Sequence, residues 1–297
     1  MSGKIDHSRA QVLIEALPYI RKYQGATIVI KYGGHAMVDA ELKKGFAEDV
    51  TLLKYVGLNP VVVHGGGPQI NALLSRLGIE SHFVEGQRFT DEATMDVVEM
   101  VLSGKVGKEI VSLINSVGGR AVGLSGKDAQ LIRAKRKKLT RKAAGGDNPP
   151  PEILDIGLVG EPTRINTDFL RHLSAGDVIP VIAPVGVGRH GETFNINADI
   201  VAGAVAGALE AERLMLLTDV DGVLDQDRKL VPRLKIADIE SWREKGVISG
   251  GMIPKLECCR EAVARGCAGA CILDGRRAHA ILLELFTDEG CGTEVVL

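Results

Sequence analysis

Residues 27–34 read Thr-Ile-Val-Ile-Lys-Tyr-Gly-Gly, a β-branched run that ends in a lysine and two glycines. Residues 61–67, Val-Val-Val-His-Gly-Gly-Gly, repeat the design. Each stretch predicts a strand followed by a glycine turn that leads towards a helix. A glycine N–H can approach an anion closely, and a helix start offers N–H groups without internal partners. Two such turns on neighbouring strands predict a phosphate cradle with Lys31 at its edge.

The bulk composition excludes several classes of protein. The chain has 297 residues, and its net charge of −2 argues against a dedicated nucleic-acid binder. The basic run at 133–142 is interpreted as a solvated hairpin arm, with a polyanion site as the alternative. The start lacks a signal-peptide pattern and no apolar run has membrane-spanning length, so we expect a cytoplasmic protein without membrane or nucleic-acid partners.

The five cysteines are expected to be buried free thiols in a reducing compartment. All of them lie at or after Cys258, none forms a C-x-x-C pair, and no histidine has zinc-type spacing to them. The sequence therefore predicts neither a disulfide framework nor a metal site.

Apolar strands alternate with helices along the chain, which predicts an α/β fold with a mainly parallel sheet covered on both faces. Residues 8–23 form an amphipathic helix ahead of the first strand, and its apolar stripe must pack on its own chain or on another subunit. Residues 131–162 are predicted to be a long exposed hairpin or loop. Glycines and prolines at 183–190 suggest a boundary between two lobes.

Two common nucleotide-binding patterns do not fit. The chain contains no G-x-x-x-x-G-K-[ST] sequence, which argues against an ordinary P-loop enzyme. One G-x-G-x-x-G match at 186–191 leads into an extended segment instead of a helix, which argues against a dinucleotide fold. The glycine turns could still be tight strand–helix connections. Their number, and the place of Lys31 at the carboxyl end of a strand, favour a ligand site.

Three further groups of polar residues allow both a structural and a functional interpretation. Asn195, Asn197 and Asp199 could cap a helix, or the two asparagines could point the same way and grip a polar substrate. Arg88 could be a surface residue or could hold a carboxylate with both arms of its guanidinium. Lys255 lies at a helix start, where the helix dipole disfavours a cation, so a nearby anion such as phosphate would explain it.

Together these motifs resemble the amino-acid kinase superfamily, and within it the enzymes that phosphorylate N-acetyl-L-glutamate in arginine biosynthesis. The resemblance runs through essentially the whole chain in order and spacing. It rests on IVIKYGG (28–34), VVVHGGGPQIN (61–71), GQRFTD (86–91), FNINAD (194–199), LLTDVDGVL (216–224), GGMIPK (250–255) and LLELFTDEGCGT (282–293). It implies an open αβα sandwich, with an N-terminal helix at 1–24, an amino-acid lobe at 25–187 and a nucleotide lobe at 188–297.

The resemblance also implies a reaction, ATP-dependent phosphorylation of the side-chain carboxylate, with Mg²⁺ held mostly by phosphate and water. A carboxylate is already ionised at neutral pH, so no general base is needed. The implied roles are catalysis by Lys31, Lys255 and Asp199; phosphate binding by Gly33 and Gly34; substrate binding by Gly66, Gly67, Arg88 and Asn195; and nucleotide binding by Asp219, Val220, Asp221, Gly222, Val223 and Leu224. No metal ligand is implied.

The N-terminal helix resembles that of arginine-inhibited members, where such helices interlace dimers into hexamers. Tyr19, Arg213, Glu284 and Gly290 match the inhibitor site by position, although many relatives have lysine where this chain has Arg213. The alternative is that residues 1–24 only add dimer contacts. Rivals for the function are sister kinases acting on aminoadipate, aspartate, glutamate or carbamate, and a non-catalytic amino-acid sensor. Intact Lys31, Lys255 and Asp199 argue against the sensor.

Overall fold

The computed structural model describes residues 7–141 and 152–297. Side chains placed at helix starts explain several of the boundaries. Asp39, Asp91 and Asn166 each accept a hydrogen bond from a backbone N–H of the helix that follows. In the described residues the α-helices are α1 His7–Tyr23, α2 Ala40–Tyr55, α3 Gly67–Arg76, α4 Glu92–Glu99, α5 Gly107–Ser116, α6 Thr167–Ala175, α7 Ala198–Ala208, α8 Ile239–Glu244, α9 Met252–Ala264 and α10 Ala280–Phe286.

The strands are shorter than most of the helices, and the apolar ones form the centre of the molecule. They are β1 Thr27–Tyr32, β2 Asn59–His64, β3 Phe83–Val84, β4 Gln87–Arg88, β5 Ala121–Ser125, β6 Ile132–Arg136, β7 Leu139–Arg141, β8 Glu152–Leu154, β9 Gly160–Ile165, β10 Ile179–Ala183, β11 Val185–Val187, β12 Thr193–Asn195, β13 Arg213–Thr218, β14 Arg233–Lys235, β15 Ala270–Asp274 and β16 Thr293–Val296.

One large sheet organises the fold, with the strand order β14-β16-β15-β13-β1-β2-β10-β5. Neighbouring strands are parallel except for the β15–β16 pair. Tyr32 at the end of β1 lies opposite His64 at the end of β2. The two glycine turns therefore leave the same edge of the sheet side by side.

Apolar side chains cover both faces of this sheet. Alternate residues of β1 serve the two sides, since Ile28 and Ile30 belong to one core cluster and Val29 to the other. The first cluster includes side chains of α2, α4, α5 and α10, and the second those of α7 and α9. The predicted α/β class, with a mainly parallel sheet between helical layers, is confirmed.

Residues 131–162 contain the predicted hairpin, since β6 pairs antiparallel with β9 and β7 with β8, but the predicted exposure is wrong at both ends of the segment. Strands β6 and β9 pair within a second sheet, of order β12-β11-β6-β9, and Ile132 is fully buried. Basic residues at alternate positions of β6 made the strand look exposed, although its other face packs into the core. Most of the basic run at 133–142 lies on β6 and β7, and residue 142 is outside the described residues.

Helices α4 and α5 are joined by a π-helical turn, Met100–Val106, instead of a break. The sequence analysis did not predict the turn, which adds one residue to each hydrogen-bonded ring. Such turns are rare and are often found at functional sites. Here the turn packs against the second glycine loop.

Three further expectations concern the cysteines, membrane-spanning helices and the boundary between lobes. The five cysteines are free and buried, as predicted. No helix in the part of the chain that the structure describes is long and apolar enough to cross a membrane. The predicted lobe boundary between 187 and 188 falls at the end of β11, within the β11–β12 hairpin, and the division into lobes stays a prediction.

Candidate active site

The two glycine loops are joined by their backbones. The N–H of Gly65 donates to the carbonyl oxygen of Tyr32 at 2.8 Å, immediately before Gly33. Gly66 precedes α3, whose first turn contains Pro68. In the hydrogen bonds of the described residues, the N–H groups of Gly33, Gly34, Gly66 and Gly67 have no acceptor. These four donors are available to an anion.

Several of these glycines cannot carry a side chain. A Cβ on Gly33 would lie 2.7 Å from Nζ of Lys31, which packs over that residue. Gly34 has φ +71°, and its Cβ would lie 2.5 Å from a carboxylate oxygen of Asp219. A Cβ on Gly66 would lie 2.5 Å from Leu102 in the π-helical turn. The glycines therefore permit both close packing and free N–H groups.

Asp199 holds the two lysines together. It lies in the first turn of α7, and its oxygens are 3.0 Å from Nζ of Lys31 and 3.2 Å from Nζ of Lys255. Burial alone would raise the pKa of Asp199, but the two ammonium charges outweigh it and hold the pKa below its usual value. Two cations and one anion leave a net positive charge beside the glycine loops.

A cavity of 180 Å³ lies between these groups. Its lining combines both glycine loops with the start of α7: Lys31, Gly33, Gly34, Met37, Gly65, Gly66, Gly67, Pro68, Gln69, Asn197, Ala198 and Asp199. A positive, glycine-lined cavity at the carboxyl edge of parallel strands is suited to a phosphoryl group.

Arg88 and Asn195 are connected through a threonine. The side-chain amide of Asn195 donates to the hydroxyl of Thr90 at 3.2 Å, and that hydroxyl donates to the carbonyl of Arg88 at 3.0 Å. The Arg88 guanidinium donates to Ser81 and stacks on Phe83, 4.8 Å from the ring centroid. Arg88 is only 9% exposed, and burial lowers its pKa. A buried guanidinium of this kind is suited to an anionic partner.

Asn197 takes the structural role that the motif allows. Its side chain accepts hydrogen bonds from the N–H groups of Asp199 and Ile200, which makes it the N-cap of α7. The capping interpretation is therefore confirmed for Asn197, and because Asn197 also lines the cavity, its contact with a substrate stays a prediction. Asn195 lies on β12 with its amide directed to Thr90.

Residues 219–224 follow β13 at the same edge. A carboxylate oxygen of Asp219 accepts the N–H of His35 at 2.6 Å, so this residue braces the first glycine loop. Val223 is buried, and its N–H donates to Thr293. Val220 and Asp221 are exposed, while Gly222 packs against Thr293 and Leu224 bridges to Leu230.

The residues expected to bind arginine lie around α10. The Tyr19 hydroxyl donates to Asp288 at 2.5 Å. Glu284 accepts the N–H groups of Cys291 and Gly292, and a Cβ on Gly290 would meet its carboxylate at 2.8 Å. Arg213, at the start of β13, instead pairs with Glu212 and Glu294, at 3.5 and 3.2 Å.

Three residues of the site escaped the sequence analysis. Thr90 is inside the quoted GQRFTD motif, but nothing in the sequence shows that it reaches Asn195. Cys258 lies one helical turn after Lys255, and its thiol donates to the carbonyl of Asp199 at 2.8 Å. His64 is the third. The place of Cys258 on the helix was the one usable signal, since i and i+3 share a face.

Comparison with known proteins agrees with this geometry. A model of the amino acid kinase family matches residues 26–274, so the chain belongs to that family. It is 58% identical over 288 residues to the acetylglutamate kinase of Syntrophobacter fumaroxidans, covering 97% of this chain and 96% of the relative. It is 60% identical over 291 residues to that of Solidesulfovibrio magneticus, covering 98% and 97%.

A solved structure shares the fold. The N-acetylglutamate synthase of Neisseria gonorrhoeae, in complex with coenzyme A and N-acetyl-glutamate, matches with a TM-score of 0.81 and 26% identity. The match covers 97% of this chain, which spans only 63% of the synthase. Since the identity to the acetylglutamate kinases extends over nearly the whole length, the chain is a member of the acetylglutamate kinase family. It is therefore an enzyme, a kinase.

Proposed function

We propose that this chain transfers the γ-phosphoryl group of ATP to the side-chain carboxylate of N-acetyl-L-glutamate, the 5-kinase reaction of arginine biosynthesis. The observation that carries the mechanism is the cluster of Lys31, Asp199 and Lys255 beside two loops with free N–H groups. The names of the relatives support the choice of substrate.

The chemistry needs charge neutralisation more than proton transfer. The acceptor carboxylate is ionised at neutral pH, so it can attack phosphorus without a base. It must approach a phosphoryl group of the same sign. Lys31 and Lys255 offset this repulsion from either side of Asp199, and the glycine N–H groups stabilise the oxygens of the transition state. Asp199 keeps both ammonium groups in place.

Substrate positions follow from the two ends of the cluster. The acceptor binds on the side of β2, with Gly66 and Gly67 at its reacting carboxylate, and Arg88 and Asn195 at its other polar groups. Gly33 and Gly34 bind the transferring phosphoryl group. The nucleotide lies over residues 219–224, after β13. With Asn195 as the exception, residues 25–187 form an acceptor lobe and residues 188–297 a nucleotide lobe.

Magnesium is expected to be held mainly by the nucleotide. In residues 7–141 and 152–297 no three His, Cys, Asp or Glu side chains are grouped to hold a metal. Both oxygens of Asp199 already face ammonium groups. The ion would arrive with ATP, bound by phosphate oxygens and water.

An ADP-release assay over a panel of acceptors tests the proposal. N-acetyl-L-glutamate is expected to be used with the highest kcat/KM among N-acetyl-L-glutamate, glutamate, aspartate, aminoadipate and carbamate. ADP release without an acceptor gives the background. Preference for any of the other acceptors would make the chain one of the sister kinases, and release at the background level with all of them would contradict kinase activity.

The amphipathic helix α1 supports a regulatory extension of the proposal. Val12, Leu13, Ile14 and Leu17 on this helix are largely exposed. Tyr19, Glu284 and Gly290 lie at the junction of α1 and α10, and the synthase of similar fold has also been solved with L-arginine. The chain would form a hexamer from three dimers through α1 and would bind arginine as an inhibitor at this junction, with Arg213 nearby.

Deletion of residues 1–24 tests this extension. The truncated enzyme is expected to form dimers, to keep its kcat and to be insensitive to arginine. Light scattering measures the mass, and activity assays with and without arginine measure kcat and inhibition. Inhibition that survives the deletion would place the effector site elsewhere, and an unchanged mass would exclude assembly through α1.

A further inference from the structure

His64 is a buried polar residue beside the site, and the proposed mechanism gives it no role. It ends β2 and is completely buried. Its Nδ1 lies 2.8 Å from the carbonyl oxygen of Gly65. Because a carbonyl oxygen can only accept, Nδ1 must carry the proton and donate. Burial lowers the pKa of His64 to about 4, so the imidazole is neutral at physiological pH.

This hydrogen bond controls the direction of a donor in the site. The carbonyl of Gly65 and the N–H of Gly66 belong to one peptide unit, which is planar and trans, so the two groups point in opposite directions. When His64 holds the carbonyl on the buried side, the N–H of Gly66 must face the opposite side. Gly66 lines the cavity beside Lys31.

The same loop also fixes the first set of donors. The N–H of Gly65 donates to the carbonyl of Tyr32 at 2.8 Å, and that carbonyl shares a peptide unit with the N–H of Gly33. A rotation of the Gly65 peptides would therefore disturb donors in both glycine loops. Gly65 connects the loops, and His64 holds Gly65.

Gly107, the first residue of α5 after the π-helical turn, lies against the imidazole. A Cβ on Gly107 would lie 3.2 Å from Nε2 of His64 and 3.0 Å from the carbonyl oxygen of Leu102. Nε2 is buried and, among the described residues, has no hydrogen-bond partner. Leu102 also packs on Gly66. Leu102 of the π-helical turn thus contacts the glycine loop, and Gly107, just after the turn, contacts the histidine that orients this loop.

We infer that His64 is a positioning residue for phosphoryl transfer, which acts as a neutral donor to Gly65 and so aims the Gly66 N–H at the reacting oxygens. The inference rests on the proposed function of the glycine loops. His64 should affect the rate of phosphoryl transfer more than nucleotide affinity, since the N–H of Gly66 contributes where charge develops in the transition state.

Three variants at one position test it. In His64→Asn the amide nitrogen is bonded to Cγ, as Nδ1 is, so it can replace the donor. His64→Gln places its amide one bond further out, and His64→Leu has no donor. We expect Leu and Gln to lower kcat about tenfold or more, with the KM for ATP within about twofold, and Asn to restore most of the rate. Ile114→Ala, at a fully buried position in α5, is the control for a loss of Tm.

Hydrogen–deuterium exchange of the segment 62–70 gives a second measurement that does not need catalysis. Leu and Gln are expected to speed exchange at Gly65, and Asn is not. If Asn behaves like Leu in both measurements, or if Leu and Gln keep wild-type rate and exchange, the inference is wrong. If the wild-type enzyme does not use N-acetyl-L-glutamate, the proposed function fails, while the exchange data still decide whether His64 holds the loop.

Discussion

The carboxyl edge of the sheet and the junction of α1 with α10 hold their charged groups in different ways. At the edge, Asp199 is buried and forms ion pairs with Lys31 and Lys255, which lie 168 and 56 residues away in the sequence of the same chain.

 Each of the two lysines thus contacts the same carboxylate, and both ion pairs are complete without any other molecule. At the junction, the Tyr19 hydroxyl and the Glu284 carboxylate bond to groups on nearby turns, while Leu13 on α1 is 71% exposed. The first region is preorganised within a single chain, whereas the second presents apolar surface that a single chain does not cover.

The largest expected effect comes from removing one lysine of the preorganised region. Lys31→Ala and Lys255→Ala should each lower kcat by about 10²–10³, the usual loss for one transition-state donor. Lys44→Ala is the matched control, because Lys44 forms only an exposed ion pair with Glu48. Steady-state ADP release measures all three variants. Wild-type kcat in both site variants would contradict the assigned roles of the lysines.

Helix α10 links the two regions, and a pair between a buried carboxylate and a half-exposed histidine lies at its start. Asp49 on α2 is 2.5 Å from Nδ1 of His279, the residue before α10. Burial raises the pKa of Asp49 to about 6, although the hydrogen bond with His279 opposes the shift. The hydrogen bond with Asp49 raises the pKa of His279. Both groups bind protons more tightly in the folded state.

This pair predicts how stability depends on pH. Because both folded-state pKa values are raised, the stability that the Asp49–His279 pair contributes is greatest at low pH and is lost as the pH rises. For Asp49 this loss occurs between about pH 4 and pH 6 and amounts to about 3 kcal/mol of unfolding free energy. Relative to wild type, Asp49→Asn should gain stability as the pH rises through this window. Urea unfolding measures this change in stability, with Glu109→Gln at an exposed position of α5 as the control. Parallel curves for wild type and Asp49→Asn would rule out the linkage.

Arg88 tests whether the acceptor end of the site is as preorganised as the lysine cluster. Losing a hydrogen bond from a charged group costs about 1.5–3 kcal/mol, so Arg88→Ala should raise the KM for the acceptor about tenfold to a hundredfold. The exposed Arg76→Ala is the control. A fall in kcat with an unchanged KM would count against carboxylate binding by Arg88.

The sequence predicted those parts of the molecule whose signals are local. The glycine turns after β1 and β2 could be found because β-branched runs and glycine act over a few residues. The burial of strand β6 was missed because its buried positions alternate with basic residues that resemble an exposed arm. The π-helical turn packs against Gly66, a contact between distant residues that no local pattern predicts.

The same distinction applies to the site. Lys31 and Lys255 could be proposed from motifs, since each lies beside glycine or at a helix start. Their common contact with Asp199 is a product of the fold, as is the connection from Arg88 through Thr90 to Asn195. When two residues in contact are far apart in sequence, the residues between them contain no pattern that would predict the contact. Asn197 shows the local case, because its capping role could be predicted from its place just before a helix.

The smallest expected effect on catalysis comes from the exposed face of α1. Leu13→Lys puts a charge where the proposed assembly buries a leucine, a burial worth about 1.5–3 kcal/mol. We expect light scattering to show a smaller particle, while kcat without arginine stays at the wild-type level, because every ion pair of the lysine cluster lies within one chain. Gln11→Lys, an exposed polar position on the same helix, should leave the mass unchanged. An equal mass for both variants would mean that this face is not the contact between subunits, and a lower kcat in Leu13→Lys alone would show that the sheet edge depends on assembly.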